Sequence, residues 1–278
     1  MLKNLEWALN ETFIAFIVLV LRSIRRPLTM NDAVTMLDRN PCEMEFQSEW
    51  LTENLMQVSL KIEHSVTFKN RLRAQGISLP SSLDRAVLSR QCEFLAGRAC
   101  VQKAMSLLGA IKTVQPLIGA YREPLWPDGY HGSITHSATL AVSLVTTHQY
   151  YFIGIDRQEW LPDTLAHSLA PDILGDNEYK WFTHFPDYRE FVTTVFSAKE
   201  SLFKAMFPSI QRYVDFSVAE LIAVDTQQGI LRLELTQTLS PDFYKGKCVE
   251  VDFRRYVDDV ETRIIDRKEP NQRNERTN

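Results

Sequence analysis

Glycine is scarce in this chain, ten in 278 residues. No two glycines are placed for the GxGxxG turn of dinucleotide-binding folds or for the GxxxxGK[ST] cradle of P-loop NTPases. The GxSxG elbow of α/β-hydrolases and the HExxH helix of zincins are missing too, and the six histidines stand singly. The four cysteines, at 42, 92, 100 and 248, form no CxxC pair. That speaks against a disulfide framework or a structural zinc site and fits reduced thiols in a cytoplasmic protein. Thirty-one Lys and Arg against 35 Asp and Glu leave a net charge of −4, so no global basic field points to nucleic acid. Charged residues are 24% and apolar residues 45% of the chain, a globular balance with material for a sizeable core.

No long hydrophobic run occurs either. The stretch Phe13 to Leu21 (FIAFIVLVL) is nine residues, where a bilayer span needs about 20. Its positive charges, Arg22, Arg25 and Arg26, follow it, the reverse of a signal peptide. The segment reads as an accessory helix or an upstream extension, with Met30 as an alternative start. The competing readings are a weak membrane-surface contact through residues 13–26, which would make the protein peripheral to the membrane, and a true targeting segment.

What is present mixes two periodicities. Met56, Val58, Leu60 and Ile62 alternate with polar residues, the pattern of a half-buried strand. Residues 84–108 read as a long helix, with Ser81 and Asp84 at capping-box spacing before it and Gly109 suited to its end. The runs 140–145 and 150–155 predict a hairpin. A second helix is expected over 188–206, stopped by Pro208. Alternation returns at Leu231, Leu233 and Leu235 and at Val249, Val251 and Phe253. The order strand, helix, strands, then strands, helix, strands predicts an α+β fold with two similar halves meeting near residue 150. The boundaries expected are an extension over 1–44, halves over 45–149 and 150–256, and a polar, disordered tail over 257–278.

Four constellations carry chemistry. In FLAGR, Arg98 lies in the apolar seam formed by Val87, Phe94, Val101, Met105 and Leu108, a costly place unless an anion meets it. Gly97 beside it lets another group approach closely. The stretch from Arg122 (REPLWP) to Gly132 (GSITHS) places a cation, the hydroxyls of Ser133 and Thr135, and the imidazole of His136 where a phosphate ester would suit them. In GID, Asp156 ends an apolar strand. In FSAKESLFK, Lys199, Glu200 and Lys204 sit on an otherwise apolar helix, with Glu200 and Lys204 on one side of it. Each has a bland counterpart: a snorkelling arginine, a structural histidine, a turn aspartate, a surface salt bridge. Together, Asp156 and Glu200 suit a Mg²⁺ ion shared with substrate phosphates, and the chemistry suggested is Mg²⁺-dependent transfer from a pyrophosphate compound.

The order FLAGR, REPLWPDGYHGSITH, IGID and FSAKESLFK resembles the 4′-phosphopantetheinyl transferases, most of all their siderophore-synthesis branch, over roughly residues 45–256. The resemblance implies two pseudo-symmetric α+β halves, each a small antiparallel sheet packed with a long helix, and coenzyme A bound between them. It implies transfer of the 4′-phosphopantetheine arm of coenzyme A to a serine of an apo acyl or peptidyl carrier protein, releasing adenosine 3′,5′-bisphosphate. By motif position it implies Asp156 and Glu200 as Mg²⁺ ligands and Arg98, Arg122 and His136 on the coenzyme A phosphates. Ser133, Thr135 and Lys199 would border that pocket. Lys204 would neutralise the pyrophosphate, and Glu200 would take the proton of the attacking serine. A single chain holding both halves suggests a monomer.

One departure stands out. The family pattern GIDxE has Gln158 in place of its second acid, so Gln158 is the candidate third metal donor; Glu159, next to it, would point to the opposite face of a strand. The competing readings are a catalytically impaired coenzyme A-binding module, with Gln158 as the lesion, a Mg²⁺-dependent phosphohydrolase using the same carboxylates, and a membrane-bound scaffold resting on residues 13–26.

Overall fold

The computed structural model describes residues 44–149 and 151–267. The segment 13–26, Met30, Cys42 and residues 268–278 lie outside the described residues.

Two antiparallel sheets form the framework. The first is built from β1 (Phe46–Thr52), β2 (Leu55–Lys61), β5 (His131–His136) and β6 (Leu140–Thr146), in the order β1-β2-β6-β5. A separate two-stranded ribbon, β3 (Leu117–Ile118) with β4 (Pro124–Leu125), precedes β5. The second sheet takes β7 (Tyr151–Glu159), β8 (Ala219–Asp225), β9 (Ile230–Leu235), β10 (Cys248–Arg255) and β11 (Asp259–Arg267), in the order β7-β11-β10-β9-β8. Helices α1 (Val66–Ala74) and α2 (Leu88–Leu107) belong to the first half; α3 (Asp163–Ile173) and α4 (Tyr188–Ile210) belong to the second. The fold is the α+β arrangement expected, one long helix per sheet.

Alternation along the strands explains the layers. Met56, Val58 and Leu60 of β2 bury against α2 residues such as Leu95, Ala99 and Val101. Leu55, from the same strand, joins Val142 and Leu144 of β6 and Ile153 and Ile155 of β7 in a second cluster. The two sheets therefore bury apolar side chains against each other, with polar stitches at the rim: Gln57 donates to Glu261 at 3.0 Å and accepts from Arg263 at 3.3 Å.

Four expectations need correction. The runs 140–145 and 150–155 are not a hairpin. β6 is flanked by β2 and β5 on both edges, so no edge is left for β7, and the chain crosses to the other sheet. Residues 257–267 are not tail. β11 is an inner strand, paired with β7 on one side and β10 on the other. Its charges hid it, but they are neutralised in place: Asp259 and Glu261 by Arg157, and Arg263 by Asp252.

The α2 helix starts at Leu88, not 84. Ser81–Leu83 form a short 3₁₀ turn, and no side chain caps α2. Gln91 holds the approach instead, donating to the carbonyls of Leu83, Asp84 and Ala86 at 3.0–3.1 Å. Gly109 ends the helix as expected, at φ +89°, with Ala110 N–H bonded to the Met105 carbonyl. Pro208 does not stop α4, which runs to Ile210. The missing N–H falls in the last turn, and Gln211, left-handed at φ 46°, bonds the Phe207 carbonyl and closes the end.

Candidate active site

The site forms where β7, α4, β5 and α2 converge. Asp187 caps α4 by accepting from the Glu190 N–H at 2.8 Å. At Gly154 the β7 backbone meets α4 so closely that any side chain would collide with the Ser201 carbonyl. This approach places Asp156, two residues on and on the same face, beneath the middle of α4.

Asp156 is 7% exposed and accepts three side-chain hydrogen bonds. Oδ1 receives Lys204 Nζ at 2.7 Å and Thr135 Oγ1 at 3.2 Å; Oδ2 receives Ser197 Oγ at 2.8 Å. Lys204 also reaches the Ile155 carbonyl at 3.1 Å. Glu200, one turn back on α4, lies within electrostatic reach of both. Burial pushes its carboxyl up to about 7; Lys204 opposes that rise and the Asp156 charge adds to it.

The cations come from the other half. Arg98 is 6% exposed and stacks on Phe94 at 4.7 Å. Its Nε is buried without a hydrogen-bond partner, and none of the ion pairs among the described residues includes it. Burial first, and the nearby Arg90 second, pull its guanidinium down to about 10. Gly97 does what its position suggested: a Cβ there would press on Ile134 of β5 at 2.9 Å. His136, at the end of β5, is bonded through Nε2 to Arg90 Nη1 at 2.6 Å, with Nδ1 3.8 Å from Glu93. Desolvation, with Arg90 and Lys204 helping, holds the imidazole down at about 3, so it is neutral. Because Arg90 is a donor only, His136 Nε2 accepts and Nδ1 carries the proton.

Sequence reasoning missed Arg90, Glu93 and Ser197. Arg90 and Glu93 are three apart on α2, a spacing that reads as an ordinary surface pair. Only the pairing of β5 beside α2 gives them His136. Ser197 lies inside FSAKE but gives no sign of its two partners, Asp156 and Thr262.

Three expected pocket residues have other work. Lys199 is 4% exposed and faces away from the site. Its Nζ donates to Glu178 at 2.7 Å and to the Ile173 carbonyl at 2.8 Å, and Glu178 also accepts from the Gly175 and Leu221 N–H groups. A one-residue step on a helix turns a side chain by about 100°, which separates Lys199 from Glu200. Ser133 is 4% exposed, its hydroxyl accepting from the Ile155 N–H at 3.1 Å. Thr135 Oγ1 accepts from the Arg157 N–H at 3.1 Å while donating to Asp156. These two hydroxyls satisfy the free edge of β7 and weld the two sheets together. Gln158 shares the Asp156 face of β7, and its amide nitrogen donates to the Glu159 carbonyl at 3.2 Å. Glu159 points elsewhere, accepting from the Ala138 N–H. Arg122 sits in the exposed turn between β3 and β4, left-handed at φ 68°.

The donor set suits a hard divalent cation. Asp156 and Glu200 offer carboxylate oxygens, and the Asp156 charge disfavours that of Glu200, a repulsion that a cation relieves. No group of three His, Cys, Asp or Glu gathers among the described residues. Two carboxylates are still sufficient for an ion such as Mg²⁺, which takes few protein ligands and completes its shell with phosphate and water.

A buried carboxylate–lysine cluster, with Arg90, His136 and the unpartnered Arg98 on the neighbouring half, has the chemistry to suit an anionic ligand such as a polyphosphate. Two family models match the chain in succession: the 4′-phosphopantetheinyl transferase N-terminal domain over residues 79–146 and the 4′-phosphopantetheinyl transferase superfamily over 152–265. The chain is 34% identical over 155 residues to enterobactin synthase component D of Escherichia coli K12, covering 55% of this chain and 72% of that protein. It is 38% identical over 117 residues to enterobactin synthase component D of Salmonella typhimurium, 42% of this chain and 48% of that one. It is 35% identical over 156 residues to the 4′-phosphopantetheinyl transferase Svp of Streptomyces mobaraensis, 54% and 61%. The match thus spans about half the length of the Salmonella relative. The chain belongs to the 4′-phosphopantetheinyl transferase family. No helix among the described residues is long and apolar enough to cross a membrane.

Proposed function

We propose that the protein transfers the 4′-phosphopantetheine arm of coenzyme A to a serine hydroxyl of an apo peptidyl or acyl carrier protein in siderophore synthesis, releasing adenosine 3′,5′-bisphosphate. The observation that carries this reading is the continuity of the site. Arg90 bonds to His136 and lies near Arg98, Thr135 of the first half bonds to Asp156 of the second, Lys204 bonds to Asp156, and Glu200 lies within reach of both. Groups from both halves thus build the site within a single chain, which suits a monomer.

Arg98 and Arg90 would bind the phosphates of coenzyme A, with neutral His136 fixing Arg90 and Arg122 adding charge from the neighbouring turn. Asp156 and Glu200, with the amide oxygen of Gln158, would hold Mg²⁺, which when bound neutralises pyrophosphate charge. The serine oxygen bonds to the phosphorus that carries the pantetheine arm, and the bond from that phosphorus to the bridging oxygen breaks. Glu200 takes the serine proton as general base. Lys204, fixed by Asp156, stabilises the charge gained by the leaving phosphate. Such a reaction depends mostly on positioning and electrostatics.

The test is the mass of an apo peptidyl carrier protein incubated with enzyme, coenzyme A and Mg²⁺. The carrier gains one phosphopantetheine; EDTA abolishes the gain, and Asp156→Ala slows it about a thousandfold, as expected for loss of a group acting in the transition state. Coenzyme A bound with every carrier unchanged means a binding module instead. Coenzyme A cleaved without a carrier means a phosphohydrolase.

A further inference from the structure

The β3–β4 ribbon that carries Arg122 joins neither large sheet. Two strands of two residues each are too short to hold themselves together in water. Inside its turn, the Gly119 N–H bonds the Glu123 carbonyl at 2.8 Å and the Tyr121 N–H bonds Glu123 Oε2 at 2.8 Å. Something outside the ribbon must fix where this turn lies.

That anchor is aromatic and comes from α4. Tyr213, just past the helix end, donates its hydroxyl to the Tyr121 carbonyl at 3.0 Å. The Tyr121 ring meets Phe207 and Tyr213 edge-on, each at 5.7 Å between centroids. Phe203 stacks on Tyr213 at 5.9 Å and packs edge-on against Phe207. Phe203 and Phe207 bracket Lys204 in sequence. Arg122 and Gln211, the two non-glycine residues with positive φ among those described, adjoin the two ends of this contact. Both tyrosines are more than 40% exposed, so the cluster is a surface clasp rather than core.

We infer that Tyr213 is a positioning residue: its ring and hydroxyl clasp the Tyr121–Arg122 turn to the end of α4 that carries Lys204, holding Arg122 ready for coenzyme A. The inference rests on the proposed function, with Arg122 as a phosphate contact. The hydroxyl binds the carbonyl of the residue just before Arg122, so it restrains the peptide that sets the Arg122 backbone. Without it, the turn is free to relax its left-handed residue, and the arginine must be ordered anew at each binding event.

The experiment is a double-mutant cycle read as coenzyme A affinity by calorimetry, with no carrier needed. Tyr213→Ala weakens binding about tenfold, and Tyr213→Phe, which keeps the stack and loses the hydroxyl, about threefold, within the usual range of such couplings. In an Arg122→Gln background Tyr213→Ala changes affinity less than about twofold, because the arginine it positions is gone. In turnover, Tyr213→Ala raises the coenzyme A KM and leaves kcat within about twofold. Its melting temperature stays at the wild-type value. Equal losses with and without Arg122, or unchanged affinity in Tyr213→Ala, overturn the clasp and leave the transferase reading standing. A wild-type protein that binds no coenzyme A removes both.

Discussion

Arg98 and Arg157 are both arginines inside the protein, and they have opposite surroundings. Arg157, on the β7 face away from α4, is met by Asp259 at 2.8 Å and Glu261 at 3.0 Å and lies over the Tyr256 ring at 4.1 Å. Burial lowers its pKa, but the two carboxylates outweigh that and hold the guanidinium above its ordinary value. Arg98 has the Phe94 ring, an unpartnered Nε and a like-charged neighbour. A buried cation whose counter-charge is built in belongs to the structure. One whose counter-charge is missing is tolerated because a ligand supplies it. Lys199 and Lys204, five residues apart on α4, are both paired to a carboxylate and differ in exposure. The first is sealed against Glu178, and the second, 26% exposed, turns to Asp156 at the site.

The largest effect that would sharpen this comparison is on stability. Arg157→Leu strands Asp259 and Glu261 and costs about 3–5 kcal/mol, seen as a lower urea midpoint. Arg98→Leu strands nothing, so its midpoint stays or rises, while coenzyme A binds about thirtyfold more weakly by calorimetry. Equal destabilisation by the two substitutions would break the comparison.

A pH scan probes His136. Its folded pKa, about 3, is below the ordinary value of 6.5, so protons favour the unfolded chain. Its neutral state leaves stability intact above pH 6.5 and costs progressively more as pH falls from 6.5 towards 3. His136→Gln flattens that part of a melting-temperature profile against pH; an unaltered slope assigns the acid sensitivity elsewhere.

Smaller changes are expected from Gln158→Glu, which restores an acid on the Asp156 face and keeps or modestly raises carrier modification. Abolished turnover in a folded protein would remove residue 158 from the metal shell. Smallest of all, removing residues 1–29 leaves the rate of carrier modification unchanged.

Much of the site was legible along the chain because its groups break local rules. Arg98 interrupts an apolar seam, Asp156 closes an apolar strand, and Glu200 and Lys204 share one side of an apolar helix. Such violations are visible without a fold, since a charge in an apolar stretch needs a reason. Lys199 broke the same rule and was misread. Its reason, Glu178, lies 21 residues away in sequence and meets it only through the packing of the second half. β11 was lost for the converse reason: it carries alternating charges that look solvated until Arg157 and Asp252 are placed beside them.

The sequence by itself determined the class of elements, the two-half α+β order, the carboxylate and lysine positions and the family. Those follow from periodicity and residue type, which are local. Only the tertiary structure decided that β6 and β7 part into different sheets and that Ser133 and Thr135 bind the edge of β7. It alone decided that Arg90 is bonded to His136, and which buried cations are already neutralised. These depend on which residue stands opposite which across strands and helices. A charge's partner is chosen by distance in space, and the chain order does not record it.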